Sequence, residues 1–439
     1  MCARGLYQRA MLRSIGENDS RLPRRIVLNS WGSLGDLFPY IALGRALQAR
    51  GHSAVLAVPD FYRPMVETAG LEHADVGPKV DPSDRTLIAG VMDPMKGPEF
   101  LIRHVIMPAL RNAHAQLRDV ARGADLIVTH PVTFAGPIVA EQLRLPWVST
   151  VLAPASLYSR IDPPVMLPFA AAIALRRFGA WTMRPVLAIG RRATDQWLTP
   201  VHVLRAELEL PRVGNPLFEG QRSPLLNLAL FSRVLGERQR DWPVHTEITG
   251  FPFYNEPVPL SPELEAFLDA GPAPVVFTLG SSAVWNPGSF YVESVKAIEQ
   301  LGRRAVMLVG PVPQNRPAVD PHRILLVESA SHEQLFPRAA CIVHQGGVGT
   351  TGQALRAGKP MIIVPHAHDQ PDNAYRVARL GISRTIFPGA YTAAGVARAL
   401  ATLLQAPAAQ GRAAVAGATV QSEGGAALAA DLIASLLTT

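Results

Sequence analysis

The sequence predicts an α/β protein made of two doubly wound parallel-sheet halves that face each other across a cleft. Three observations carry that expectation. Short apolar runs alternate with helical patterns, the rhythm of βαβ units, in both halves of the chain. A proline-rich polar stretch, "NEPVPLSPELEAFL", separates the two series. The length of 439 residues, 48% of them hydrophobic and 18% charged, favours two large cores over one.

Taken in order, "RIVLNSW" reads as a strand and "LFPYIALGRALQARG" as a helix ending at Gly51. "SAVLAVP" follows as a strand, and "FYRPMVETAG" as a helix closed by Gly70. "ADLIVTH" and "WVSTVLAP" are buried strands. From Ser159 to Arg212 the pattern changes to long helices rich in Ala, Leu, Arg and Pro, before "LNLALFS" and "EITGFPFY" resume the strands. The linker ends in a capping-box-like "SPELE", which places the boundary near residue 255. The second half repeats the rhythm through "APVVFTLGS", "RAVMLVG", "ILLVE", "AACIVHQGG" and "MIIVPH", and its Ala-rich end reads as helices. The expected organisation is a loose tail over 1–24, one half over 25–255 and a second over 256–439, with the last helix able to pack back on the first half. The tail also raises Met11 as an alternative start. Ligands in such sheets bind beyond the carboxyl ends of the strands.

Composition narrows the functions. The formal net charge is +7, but the arginines are scattered rather than clustered with aromatics, which argues against nucleic acid as a partner. A basic surface suits an anionic small substrate or an anionic membrane face. The two cysteines, Cys2 and Cys341, make no disulfide framework, which points to a reducing, cytoplasmic location, with the inner membrane face as a variant. The longest apolar run, Val165 to Leu175, is interrupted by Pro168 and falls short of the roughly 20 residues of a spanning helix. His366 and His368 form no metal set, and neither HExxH nor CxxC occurs, so no metal site and no bound cofactor are expected.

Three glycine turns compete for a phosphate. The first, Gly32-Ser33-Leu34-Gly35, lacks dinucleotide spacing, although Asp60 closes the second strand as that fingerprint would require. It also places Asp36 where a phosphate would be repelled. The plain reading of Asp36 is a helix N-cap. The second turn, "TLGSS", offers a glycine and two hydroxyls. The third, "VHQGGVGTTGQALRAG", leaves a strand, passes three glycines and presents Thr350 and Thr351 at a helix start, where free N–H groups make an anion site. It lacks the Lys of a P-loop. Beyond it Asp369, Gln370, Asp372 and Asn373 open another helix. Carboxylate and amide groups suit sugar hydroxyls. Asp372 or Asn373 starting the helix as an N-cap is the alternative.

These stretches resemble a known family. "HQGGVGTTGQALRAGKPMIIVPHAHDQPDNA" looks like the donor-binding signature of family 1 glycosyltransferases, which have the GT-B fold of two Rossmann-like domains. "GSLGDLFPYIALGRAL" resembles their first loop and helix. "DWPVHTEITGFPFYN" and "PVVFTLGSS" are similar to the bacterial branch that includes the rhamnolipid rhamnosyltransferase catalytic chain. The resemblance implies inverting transfer of a hexosyl group from a nucleoside-diphosphate sugar without an essential metal. On its pattern Ser281, His344, Gln345, Gly347, Gly349, Thr350 and Thr351 would bind the diphosphate. Gln353 stands at the ribose position, where the family often has an acid, and Asp369 and Gln370 would hold the sugar. Small or polar residues near Ser329 replace the usual base-stacking aromatic, so UDP and dTDP donors both stay open. The resemblance also makes Asp36 the base that takes the proton of the acceptor hydroxyl.

The stretch from 158 to 190 is rich in Leu, Ala, Phe, Met and Trp. It suggests an apolar small molecule or lipid as acceptor, with simple helix packing as the competing account. A non-catalytic partner of the same fold, a nucleotide-sugar epimerase and, last, a dinucleotide oxidoreductase complete the functions considered.

Overall fold

In a computed structural model of the chain, the described residues are 22–80, 84–166, 174–175, 177–255 and 258–437. Most of the expected tail, residues 1–21, lies outside them.

The first half folds around a seven-stranded sheet. Its strands are β1 (Arg25–Asn29), β2 (Ser53–Val58), β3 (Glu72–Asp75), β4 (Leu126–Thr129), β5 (Trp147–Val151), β6 (Leu226–Ala229) and β7 (Thr246–Ile248). They pair in parallel in the order β3-β2-β1-β4-β5-β6-β7. The second half holds β8 (Val275–Thr278), β9 (Ala305–Leu308), β10 (Ile324–Val327), β11 (Cys341–His344), β12 (Met361–Ile363) and β13 (Ser383–Thr385), in the order β10-β9-β8-β11-β12-β13. Each order reverses once, between β1 and β4 and between β8 and β11. Those switch points open the crevices in which α/β proteins hold ligands.

Strand alternation builds the layers. In β1, Ile26 and Leu28 face one helix layer while Val27 faces the other. In β8, Val276 joins one cluster while Val275 and Phe277 join the opposite one. Both faces are covered, which is why these strands read as continuous apolar runs.

Seven helices bear on the site: α1 (Leu34–Gln48), α2 (Arg85–Val91), α3 (Met183–Trp197), α4 (Val348–Arg356), α5 (Gln370–Arg379), α6 (Pro407–Ser422) and α7 (Gly425–Leu436). The last of them returns to the first half. Ala429, Ala430 and Ile433 of α7 enter the cluster that also holds Leu37 and Leu43 of α1. Asp431 pairs with Arg50 at 2.7 Å. At the linker, Ser261 accepts the Leu264 N–H at 3.2 Å, but Leu264 itself occupies the third helical position, so the reciprocal acid of a capping box is missing.

Candidate active site

The turn after β1 is a capping box. Ser33 is the N-cap of α1, and Asp36 occupies the third helical position. Asp36 Oδ2 accepts the Ser33 N–H at 2.7 Å and the Ser33 hydroxyl at 3.0 Å. The expectation that Asp36 is itself a plain N-cap is therefore corrected: Ser33 fills that place, and the acid folds back over it. Gly32 makes this fit, because a Cβ there would lie 2.3 Å from Asp36 Oδ2.

The other carboxylate oxygen meets a residue that the sequence did not single out. His130, at the carboxyl end of β4, places Nε2 3.2 Å from Asp36 Oδ1 and is 5% exposed. The Val132 N–H donates to His130 Nδ1, so in the neutral ring the proton sits on Nε2 and points to the carboxylate. Burial works to raise the Asp36 pKa. The hydrogen bond and charge of His130 and the two Ser33 contacts more than offset it, and the carboxyl sits below its ordinary value. The Asp36 side chain remains 29% exposed.

The turn after β11 has the same strand–glycine–helix form and the opposite chemistry. The N-cap of α4 is Gly347, with no side-chain cap. The first N–H groups of this nine-residue helix are left to a ligand. Gln345 is 7% exposed, with Nε2 3.4 Å from Thr350 Oγ1 and Oε1 buried without a partner. Gly280, in the turn after β8, must be glycine: its φ is +64°, and a Cβ would lie 2.2 Å from Gln345 Nε2. Ser281 next to it is exposed. Gly349 lies against the first turn, since a Cβ on it would be 3.6 Å from Gly35 Cα. The two glycine turns thus meet across the cleft.

Two residues expected at the diphosphate are fully buried. His344 is 0% exposed. Its Nδ1 accepts the Gly346 N–H at 3.1 Å, its Nε2 lies 3.4 Å from the Met361 sulfur, and burial lowers its pKa to about 3. It braces the turn from behind as a neutral ring. Thr351 is also 0% exposed, with its hydroxyl unpartnered, whereas Thr350 lies at the rim. Gln353 is partly exposed on the same helix.

The α5 start differs from the expected caps too. Asp369 is the N-cap residue, and Asp372 and Asn373 lie inside the helix, both 0% exposed. Asn373 Nδ2 donates to Asp369 Oδ2 at 2.7 Å and to the Gly346 carbonyl at 2.9 Å, tying this loop to the glycine turn. Gln370 Oε1 accepts the N–H groups of His366 and Ala367, leaving its amide nitrogen for a ligand. Burial, and to a smaller degree the charge of Asp36, push the Asp369 pKa up to about 7 against the opposing Asn373 bond. Asp36 and Asp369 are therefore within electrostatic reach across the cleft. Among the described residues no group of three or more His, Cys, Asp or Glu could hold a metal ion.

Comparison with known proteins finds relatives for both halves of the chain. Residues 26–158 match the glycosyltransferase family 28 N-terminal domain. Residues 306–431 match the C-terminal domain of the erythromycin biosynthesis protein CIII-like family. The chain is 34% identical over 378 residues to O-mycaminosyltylonolide 6-deoxyallosyltransferase of Streptomyces fradiae, covering 83% of this chain and 86% of that protein. It is 29% identical over 428 residues to vancomycin aglycone glucosyltransferase of Amycolatopsis orientalis, covering 93% and 97%. The solved structure of spinosyn rhamnosyltransferase SpnG complexed with thymidine diphosphate shares the fold, with a TM-score of 0.66 at 18% identity over 93% of this chain and 99% of that one. These relatives bring forward natural-product transferases rather than the rhamnolipid branch.

Proposed function

The chain belongs to the GT-B glycosyltransferases that join a family 28 N-terminal domain to an erythromycin CIII-like C-terminal domain, and on that premise we propose that it moves a hexosyl group from UDP- or dTDP-sugar to a hydroxyl of an apolar small molecule or lipid, with inversion and without a metal. The observation that carries the proposal is the contrast between two abutting turns. One helix start is sealed by a capping box and bears a carboxylate; the other is open and bears unpaired N–H groups. The two turns abut, since a Cβ on Gly349 would lie 3.6 Å from Gly35 Cα, and this supports reading one as the base and the other as the anion site.

In this reading the N–H groups from Gly347 to Thr350, the Thr350 hydroxyl, Gln345 and Ser281 hold the diphosphate as its charge grows in the transition state. Asp369 and the Gln370 amide hold sugar hydroxyls, and Gln353 faces the ribose. The acceptor oxygen attacks the anomeric carbon opposite the diphosphate. Asp36 takes its proton, and His130 steadies the carboxylate. A carboxylate of lowered pKa is a modest base, which suits a proton that moves late, once the oxygen has begun to bond.

Of the 158–190 stretch, residues 167–173 and 176 lie outside the described residues. Around α3 it exposes Leu175 (42%), Phe178 (58%), Trp181 (68%) and Ile189 (59%). Such a surface suits an apolar acceptor, or peripheral contact with an anionic membrane given the +7 charge. Among the described residues no helix is long and apolar enough to cross a membrane.

The test is a thermal-shift panel of UDP- and dTDP-sugars followed by transfer assays with and without EDTA. A sugar nucleotide that stabilises the chain, with transfer unaffected by EDTA, supports the proposal. Stabilisation by none of them, or activity that needs Mg²⁺ or Mn²⁺, overturns it.

A further inference from the structure

The helix that carries Asp369 and Gln370 at its start grips the opposite domain about two turns further on. Arg376 of α5 is 3% exposed. Its Nε donates to Asp372 Oδ2 at 2.6 Å, and its Nη1 donates to the Asp162 carboxylate and, at 3.2 Å, to the Leu235 carbonyl. Its Nη2 reaches the Asp162 carbonyl at 3.4 Å. Arg379 adds a second contact to Asp162 Oδ1 at 3.1 Å. Asp372, fully buried, uses Oδ1 to accept the Val165 N–H at 2.9 Å. Two carboxylates and two guanidinium groups thus link α5 to the segment 159–165. Asp241 fixes the other end of that segment by accepting the Ser159 hydroxyl at 2.7 Å and the Arg160 N–H at 2.6 Å.

This segment follows the carboxyl end of β5 and opens the apolar 158–190 stretch. The planar guanidinium fork of Arg376 fixes angle as well as distance. We propose that Arg376 and Asp162 are positioning residues that lock the acceptor-side segment onto the sugar-binding helix, so that the acceptor and not water meets the anomeric carbon. This rests on the assignment of Asp369 and Gln370 to the sugar and of 158–190 to the acceptor.

The chemistry makes the lock measurable. In transfer, the acceptor oxygen bonds the anomeric carbon, its proton goes to Asp36, and the diphosphate leaves with the bonding pair. When the segment swings free, water follows the same course: its oxygen bonds the carbon, its proton goes to Asp36, and free sugar and nucleoside diphosphate result. Both routes consume the same donor and need no further reactant.

The experiment compares wild type with Asp162→Asn, which leaves the Asp372–Arg376 pair in place, and with Arg376→Lys, which keeps the charge and removes the fork. Three quantities are read: the affinity for UDP and dTDP, the ratio of hydrolysis to transfer, and amide exchange over 159–165. The expected result is unchanged nucleotide affinity, a hydrolysis-to-transfer ratio raised tenfold or more with a higher acceptor KM, and faster exchange at Val165. An unchanged ratio and unchanged exchange in both variants overturn the lock. Loss of nucleotide affinity in step with activity also overturns it, because the network would then be holding the fold as a whole. Faster exchange in a chain whose wild type transfers to no apolar acceptor would instead overturn the assigned function.

Discussion

Asp36 shows how two neighbours make one carboxylate usable. Ser33 occupies Oδ2 and His130 occupies Oδ1, so the acid is ionised, oriented and still 29% exposed. Asp36→Asn keeps an acceptor for Ser33 but loses the proton-accepting charge. Turnover should fall by roughly 10²–10⁴, and because the Asn amide N–H would face the His130 Nε2 proton, stability should fall by about 1–3 kcal/mol. Steady-state transfer with a melting curve checks this, and an active Asn variant would remove Asp36 from the mechanism. His130→Ala should act differently. Without the histidine, burial raises the Asp36 pKa unopposed by the largest of the lowering influences, so the acid limb of kcat/KM should move to higher pH. An unmoved limb would mean that His130 only packs. Asp369 supplies a stability signature. Its pKa is raised from 3.8 to about 7, so across that window the folded chain keeps a proton that the unfolded chain releases. The folded state therefore loses stability as pH rises from about 4 to about 7. Asp369→Asn should melt higher than wild type at pH 8 and show little difference at pH 4 in the nucleotide-free protein.

At the scale of elements, the two helix starts differ in their caps, and much of that was legible in the sequence. The three-glycine run could be read as an anion site because glycine carries no side chain to cap the helix that follows. The "GD" pair could be read as unsuited to phosphate because its charge is wrong. What escaped were contacts set by sheet order. His130 ends the strand "ADLIVTH", and β4 lies beside β1 across the switch point. The strand pattern was visible, but which strand lies next to which is fixed by long-range packing. The burial of His344 escaped for a related reason. The histidine sits one residue before the turn, still in β11 and facing the core. Asp372, similar in type to Asp369, points along α5 to Arg376 and not to a sugar. The two threonines of α4 now separate. Thr351→Val removes a buried hydroxyl that has no partner, which should cost no stability. Thr350→Val should weaken UDP or dTDP binding the more strongly, because Thr350 borders Gln345 at the rim. Calorimetry that finds equal losses would place both hydroxyls on the nucleotide.

At the scale of the molecule, the chain crosses between its halves twice, and the two crossings run side by side. Gly425 N–H donates to the Thr249 carbonyl at 2.7 Å, and Glu423 accepts the Ser232 hydroxyl and the Arg233 N–H, each at 3.0 Å. Helix α7 then packs on α1, the helix whose first turn carries Asp36. The second half thereby supplies part of the first half's core, through Ile433 at 0% and Leu437 at 4% exposure. Burying each such side chain is worth roughly 1.5–3 kcal/mol. A domain's whole stability is only about 5–15 kcal/mol. A chain ending at Ser422 should therefore melt in two steps, with the first half unfolding early. Its second half keeps α4, α5 and the open helix start, so it should still bind UDP or dTDP with nearly wild-type affinity while transfer is lost with the base. Calorimetric melting and nucleotide titration of that truncation test this. A single transition at the wild-type temperature would show that α7 contributes nothing to the first core, and lost nucleotide binding would show that the two halves cannot fold apart.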